Sequence, residues 1–330
     1  MKFALTIVAV IAAMAVPPAA SATGRTDPEP TARLMAIGDL MLAGGIGTQI
    51  LEDGPEVPWL GVAEDLEAAD IVVANLECTV STRGAPWPKR NRFRAPPVAV
   101  DSIASGGIDV VQIANNHSMD YGPVAFKDTL SLLDKHGIAH VGGGLNRASA
   151  RSPVLMERNG LRVALLGYIL PNTGAKPWYP GLWNATPSRA GLAVGTPENV
   201  TADVLAARNS ADVVVVGFHG GYEHKATQSI QVLEFTRAAV AAGAALVIGT
   251  HPSMLEGYHF QDNALIAYSL GRFISDRGNR RSRDTAILDV TLSKAGVESM
   301  NWIPVVIQNG FAHLATGADA ARIMARLKPI

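Results

Sequence analysis

A single cysteine, Cys78, stands in a chain of 330 residues, so no internal disulfide can form and a disulfide-stapled scaffold is excluded. Charge is scarce: 17% of residues are charged and the formal net charge is −1. Duplex nucleic-acid binders carry a net basic footprint, so no nucleic-acid partner is expected. Aromatic residues make up only 6%. After the first residues no apolar run reaches the roughly 18 residues that a membrane span needs. What is abundant is apolar: 48% of residues are hydrophobic, with 32 Gly and 20 Pro. That composition excludes a coiled coil and a disordered tail, and the length suits one large α/β domain or two small ones.

The N-terminus has the form of a targeting segment. Lys2 supplies a positive start, Phe3 to Val16 is apolar, Pro17 and Pro18 break the run, and Ala20-Ser21-Ala22 is a small-x-small cleavage pattern. We expect a signal peptide over residues 1–22, a disordered leader over 23–32 and one domain over 33–330. The mature chain is then secreted or periplasmic; the alternative is an uncleaved N-terminal membrane anchor.

Short β-branched runs recur along the rest of the chain, at Leu34–Ile37, Asp70–Ala74, Asp109–Ala114, Val163–Tyr168, Asp212–Phe218, Ala245–Ile248 and Ala264–Tyr268. Runs of this kind fit strands buried on both faces. Helical periodicity appears between them: Phe126, Leu130 and Leu133 share a face, Thr196-Pro197 opens a helix toward Ala207, and residues 227–242 form another before Gly243. Strands alternating with helices predict an α/β fold with a largely parallel core. Thr285–Leu292 and Met300–Ile307 predict a closing hairpin. Two long loops interrupt the pattern. Thr79–Pro97 carries Arg83, Lys89, Arg90, Arg92 and Arg94 and no acid; Pro171–Gly191 carries Trp178 and Trp183. The first loop, with a second cluster from Arg272 to Arg283, could draw a polyanion to the site or be a solvated surface. The two tryptophans could belong to a lid or pack on the domain body.

Chemistry gathers where the apolar runs end. Asp39 follows the first, Asn75-Leu76-Glu77 the second, Asn115-Asn116-His117 the third, His219 and Glu223 the fifth, and His251 the sixth. Parallel strands place their carboxyl ends on one edge, where ligands bind. Carboxylate, amide oxygen and imidazole together suit a divalent ion such as Zn, Mn or Fe.

Six segments carry a family resemblance: GDLML (38–42), ADIVVANLE (69–77), GIDVVQIANNHSMDYG (107–122), VVVGFHGGYE (215–223), VIGTHP (247–252) and YSLGRF (268–273). In order and content the chain resembles the CapA/PgsA-type capsule synthesis family, linked to bacterial poly-γ-glutamate capsule and similar to the calcineurin-like metallophosphoesterases. The resemblance implies a four-layer α-β-β-α sandwich, two mixed β-sheets flanked by helices, with a dinuclear metal site at one edge. It places Asp39 on a first metal, Glu77 as a bridging carboxylate, and Asn116, His219 and His251 on a second. It makes His117 the histidine that stabilises or protonates a leaving oxygen, oriented by Asp120. Two metals about 3.5–4 Å apart can clamp the attacking and leaving oxygens of a displacement.

The departures from the family pattern are specific. Met41 stands where the metallophosphoesterases have histidine, as is usual in the capsule family, while Ser253 stands where His-Pro-His would end, Arg272 in place of asparagine, and Gly220 in place of an aromatic residue. The first metal thus loses imidazole ligands, so we expect one tightly bound divalent metal and a second that is weak or absent. Glu223, Arg94, Arg272, Trp178 and Trp183 are candidate substrate contacts. The expected partner is an anionic polymer or phosphoester substrate, with capsule synthesis machinery at the membrane. Three readings remain: a capsule and poly-γ-glutamate synthesis or export protein, a secreted metal-dependent hydrolase of a phosphoester or related ester or amide, and a non-catalytic polyanion- or envelope-binding module with a vestigial metal site.

Overall fold

The computed structural model describes residues 29–171, 173, 179–225, 227–261 and 263–330. The expected signal peptide, most of the leader and Trp178 lie outside the described residues. Fourteen strands build two large sheets. In chain order they are β1 (Ala32–Leu40), β2 (Ile71–Leu76), β3 (Val110–Gln112), β4 (Ala139–Val141), β5 (Val154–Arg158), β6 (Leu161–Ile169) and β7 (Val213–His219). There follow β8 (Leu246–Thr250), β9 (Tyr258–Gln261), β10 (Ala264–Ala267), β11 (Arg272–Ile274), β12 (Asp284–Ser293), β13 (Gly296–Gln308) and β14 (Phe311–Leu314). The first sheet runs β14-β13-β12-β1-β2-β3-β4, with β11 lying beside the end of β1; the second runs β9-β10-β8-β7-β6-β5. Both sheets are mixed. β1 to β4 are parallel, as are β6, β7, β8 and β10, and the short β11 lies parallel to β1, while β5, β9, β14 and the β12–β13 hairpin are antiparallel.

Strand alternation assigns each apolar residue to a layer. In β1, Leu34 and Ala36 face the space between the sheets, where they meet Val163, Val215 and Leu246 of the second sheet. Met35 and Ile37 face outward, toward the helices α1 (Gly45–Asp53), α2 (Ala99–Ser105) and α3 (Gly122–Lys135). In β7, Val213 and Val215 face the first sheet, and Val214 and Val216 face α4 (Pro197–Ala207) and α5 (Ile230–Ala242). The result is the four-layer sandwich, helix–sheet–sheet–helix. This explains why the strands read as continuous apolar runs: each is covered on both faces. A fully buried Phe126 or Leu133 on α3 contributes about 1.5–3 kcal/mol by leaving water.

Local signals fix the helix ends. The Thr196 hydroxyl accepts from the Asn199 amide at 3.2 Å, and the Ser229 hydroxyl accepts from that of Val232 at 3.3 Å. The expected strands and the hairpin are present, the latter paired from Asp284–Val306 to Ser293–Gly296. β1 begins at Ala32, the last residue of the stretch expected as leader. The helix α1, the short strands β4, β9, β11 and β14, and the helix α6 (Gly317–Met324) were not foreseen. The loop Pro171–Gly191 contains a short helix, Tyr179–Trp183. No helix among the described residues is long and apolar enough to cross a membrane.

Candidate metal centre

The carboxyl ends of the parallel strands of both sheets converge on one cleft. β2 delivers Glu77, the turn after β3 delivers Asn116 and His117, β7 ends in His219, and His251 follows β8. The cleft has a volume of about 430 Å³, and Glu77, Asn116, His117, His251 and Arg272 are among its lining residues.

At its base the ligand atoms of Glu77, His219 and His251 all lie within 4.8 Å of one another, and all three residues are buried. His219 is the hub. Its Nε2 stands 2.7 Å from Asn116 Oδ1, 3.1 Å from His251 Nδ1 and 3.7 Å from Glu77 Oε1. Donors placed tetrahedrally at about 2.0–2.1 Å from a zinc ion would stand about 3.3 Å apart, so these separations fit one ion. The Nδ1–H tautomer frees Nε2 for an ion. The Thr250 hydroxyl donates to the Phe218 carbonyl at 3.2 Å and therefore accepts from His219 Nδ1 at 2.9 Å, with Asn75 Nδ2 further off at 3.3 Å. The Nε2 lone pair is left facing the other donors, the arrangement a metal-ligating histidine needs. Burial pushes His219 well below the usual imidazole range, with the neighbouring His251 adding to the effect. Burial brings His251 down to about 3. Two neutral imidazoles, an amide oxygen and a carboxylate are a fitting donor set for a divalent transition ion.

Asn115 and Asn116 divide the work. The Asn115 side chain ties the turn together: it donates to the Asn75 amide oxygen at 3.1 Å and the Leu76 carbonyl at 2.8 Å, and it accepts from the His117 amide at 3.0 Å. Asn116 turns its amide oxygen to the centre.

Asp39 lies behind Glu77 and is fully buried. Its Oδ1 accepts from Asn75 Nδ2 at 2.7 Å, while Oδ2 has no hydrogen bond of ordinary geometry among the described residues. Burial raises Asp39 to about 6. Burial, and then the charge of Asp39, holds Glu77 well above the ordinary carboxylate range. Two carboxyls buried side by side suit a cation between or beside them.

His117 and Asp120 form a second unit beside the centre. His117 Nδ1 lies 2.7 Å from Asp120 Oδ2, which also accepts from the Phe93 amide at 2.7 Å. His117 Nε2 is 4.0 Å from Glu77 Oε1. Burial depresses the His117 pKa, and Lys89 pushes in the same direction, against the opposing pull of Asp120. Lys89 was not foreseen here. Its ammonium is buried against Asp120, donates to the Asn116 carbonyl at 2.6 Å, and lies 3.2 Å from His117 Nδ1. No local signal marks it, because the contact closes over a gap of 27 residues in the chain.

The other expected contacts divide. Arg272 and Glu223 line the cleft, Glu223 on its exposed rim. Arg94 does not: its guanidinium stacks on Tyr121 at 4.2 Å and donates to the Arg83 carbonyl at 3.4 Å. Trp183 is a core residue rather than a lid, packed edge-on to Trp87 with ring centroids 5.5 Å apart. The basic loop also fails to act as one patch, since Arg83 pairs with Asp128 and Arg92 donates to the Trp87 carbonyl. Arg277 instead enters the cleft. It lies 4.7 Å over the Phe93 ring, which in turn packs 4.2 Å from the His117 ring.

Comparison with known proteins follows the same lines. The model of the family described as bacterial capsule synthesis protein PGA_cap matches residues 33–277. The capsule biosynthesis protein CapA of Bacillus anthracis is 28% identical over 300 residues, covering 88% of this chain and 71% of that one. The PGA biosynthesis protein CapA of Bacillus subtilis is 28% identical over 297 residues, covering 89% and 75%. Among solved structures, a putative 5'-nucleotidase from Staphylococcus aureus aligns with a TM-score of 0.48 at 13% identity, over 89% of this chain and 57% of that one.

Proposed function

The chain belongs to the bacterial capsule synthesis protein family PGA_cap, and from that premise we propose that it is an exported component of polyglutamate capsule assembly with a metal-dependent hydrolytic site. Glu77, Asn116, His219 and His251 hold one divalent ion, and the cleft above them receives an anionic chain or a phosphoester. The observation that carries this reading is the buried Glu77–His219–His251 cluster at the base of the cleft, with the His117–Asp120 pair beside it. A bound ion would polarise a carbonyl or phosphoryl oxygen and lower the pKa of a bound water.

The chain's own residues complete the chemistry. Asp120 holds the Nδ1 proton of His117 and fixes the ring, leaving Nε2 free toward the cleft. Because burial keeps the imidazole neutral, His117 is poised to accept a proton first and to return it to a departing oxygen or nitrogen afterwards. Lys89 offsets the buried charge of Asp120 from behind. Arg272 and Arg277 supply the positive wall that an anionic polymer requires. Export rests on the N-terminal pattern alone and is part of the proposal.

The test is metal analysis of the dialysed protein together with turnover of poly-γ-glutamate, read as chain shortening, and of a chromogenic phosphodiester. One equivalent of metal and chelator-sensitive turnover are expected. His117→Asn should lower turnover about 10²–10⁴-fold while leaving the metal in place. A metal-free protein that turns over neither substrate would sink the reading.

A further inference from the structure

The arginine cluster from Arg272 to Arg283 divides into two sets. Arg272 and Arg277 line the cleft, whereas Arg280, Arg281 and Arg283 are exposed beside it. The last three lie on one short 3₁₀ turn, Arg280–Arg283. Three residues complete such a turn, so its side chains leave on three sides. Ser282 takes the inner side: it is buried and lines the cleft. Arg281 and Arg283 flank it on the outer sides, and Arg280 is eclipsed with Arg283. Each exposed arginine is thus the immediate chain neighbour of a residue in the cleft wall, Asn279 or Ser282.

The charge of this turn is uncompensated. Residues 277–283 hold four arginines and no acid. The acid that follows, Asp284, is fully buried and engaged from behind: Arg322 of α6 meets it at 2.7 and 3.0 Å, and Arg326 at 2.9 Å. The acid that precedes, Asp276, accepts from the Gly45 amide at 3.1 Å and lies 4.0 Å from Arg277 Nε. Arg280, Arg281 and Arg283 have no acidic partner among the described residues, whereas Arg83 and Arg162, equally exposed, each pair with an aspartate. The turn is also held in shape. Asn279 Oδ1 accepts from the Arg281 amide at 3.0 Å and the Ser282 amide at 3.3 Å, and Arg326 donates to the Arg281 carbonyl at 2.9 Å. Side chains on a fixed backbone have less freedom to lose on binding.

We propose that the turn Arg280–Arg283 is a docking surface for an extended polyanion: one chain lies across the three exposed arginines while one of its anionic groups reaches Arg277 and the centre. The inference rests on the reading of the cleft as the seat of an anionic chain, and it narrows that reading. A small phosphoester fills the cleft without touching the turn, whereas a chain with an anionic group on every unit meets several guanidinium groups at once. Guanidinium forks match carboxylates and phosphates alike, so the shared chemistry is a regular run of oxyanions. Contacts of this kind are weak singly at an exposed site and accumulate along one connected chain.

The test is binding as a function of chain length. The full chain, loaded with Mn(II), is titrated in a calorimeter with γ-glutamyl dimer and with a long γ-glutamyl oligomer, and in a parallel arm with pyrophosphate and a long polyphosphate. Wild type should bind the long chain at least about tenfold more tightly than the dimer. The triple variant Arg280→Gln, Arg281→Gln, Arg283→Gln should lose about tenfold on the long chain and much less on the dimer. Its salt dependence should shrink and its metal content should stay as in wild type. The corresponding triple replacement by Lys, which keeps the charge, should retain most of the advantage of length. Arg280→Gln and Arg283→Gln alone, each expected to lose about twofold, decide the matter if the triple variant does not fold. A stronger effect of length with polyphosphate than with γ-glutamate would support the surface and name phosphate as its ligand. Equal affinity for short and long chains in wild type would overturn the surface and leave the reading of the cleft standing, as would a folded triple Gln variant that keeps the advantage of length. A wild type that binds no anionic oligomer would overturn the anionic-chain reading, and the surface with it.

Discussion

The two sheet edges that meet at the cleft bring opposite chemistry. The first sheet supplies Asp39, Glu77, Asn116 and His117, mostly oxygen donors; the second supplies His219 and His251, two imidazoles. Neither edge alone holds a competent ligand set. Glu77 and Asn116 without the histidines would bind a transition ion weakly, and the histidines without a carboxylate would leave its charge unbalanced. An ion at this centre therefore fastens one sheet to the other where no covalent link does. Binding and inter-sheet packing become a single equilibrium.

The strongest way to break that account is to remove the hub. His219→Ala should abolish tight metal binding. In the wild type, chelation should lower the melting temperature by about 8 °C, taking metal at a thousandfold over its Kd as worth about 4 kcal/mol. In His219→Ala, chelator should change nothing. An equal chelator response in the two proteins, followed by calorimetry, would show that the sheets are not joined through the centre.

A smaller effect comes from the buried carboxyl that the second sheet does carry. Glu256, after β8, is buried, accepts from Gln228 Nε2 at 3.1 Å, and does not line the cleft. Burial raises it to about 7 from an ordinary 4.5. Between those values the folded chain holds a proton that the unfolded chain has released, so this group's contribution to stability is present at low pH and is lost as pH rises toward 7 and beyond. Glu256→Gln removes the dependence. The variant should gain on wild type from pH 5 to pH 8, by on the order of 2 kcal/mol in denaturant titrations. A constant difference across that range would mean that Glu256 ionises as if exposed.

The smallest effects separate two arginines. Arg277→Ala should weaken retention on immobilised polyglutamate several-fold at low salt, because that guanidinium lies in the cleft. Arg94→Ala should leave retention unchanged, because its guanidinium lies on Tyr121. Equal losses would return the basic loop to the role of a general polyanion patch.

The difference between those arginines also marks how far the sequence could be read. Asp39, Glu77, Asn116, His117, His219 and His251 were legible because each follows a buried parallel strand, and that rule alone sends them to one edge. The layer pattern was legible for the same reason: Leu34 and Met35, or Val213 and Val214, are both apolar because both faces are covered. The positions of long side chains in loops were not. Lys89 folds inward to Asp120, whereas Arg94, five residues on, stacks outward. Nothing in the local spacing distinguishes them, since each is placed by a partner distant in the chain. Trp183 is fixed by Trp87 in the same way. The seat of Arg272 required a short strand, β11, to pair with β1 across more than two hundred residues, and a three-residue strand leaves little periodicity to detect.

The backbone beneath one ligand bears on the vestigial reading. His251 sits at φ +101 and Ser253 at φ +62, in the left-handed region that side chains with a Cβ resist. Holding a histidine there costs about 1–3 kcal/mol, which glycine would relieve. A position of this kind is unstable under neutral drift. Once the imidazole ceased to matter, mutation would carry the site toward glycine or asparagine, and each step would make the protein more robust. The imidazole is thus held over the centre against a backbone cost that a His251→Gly chain would not carry.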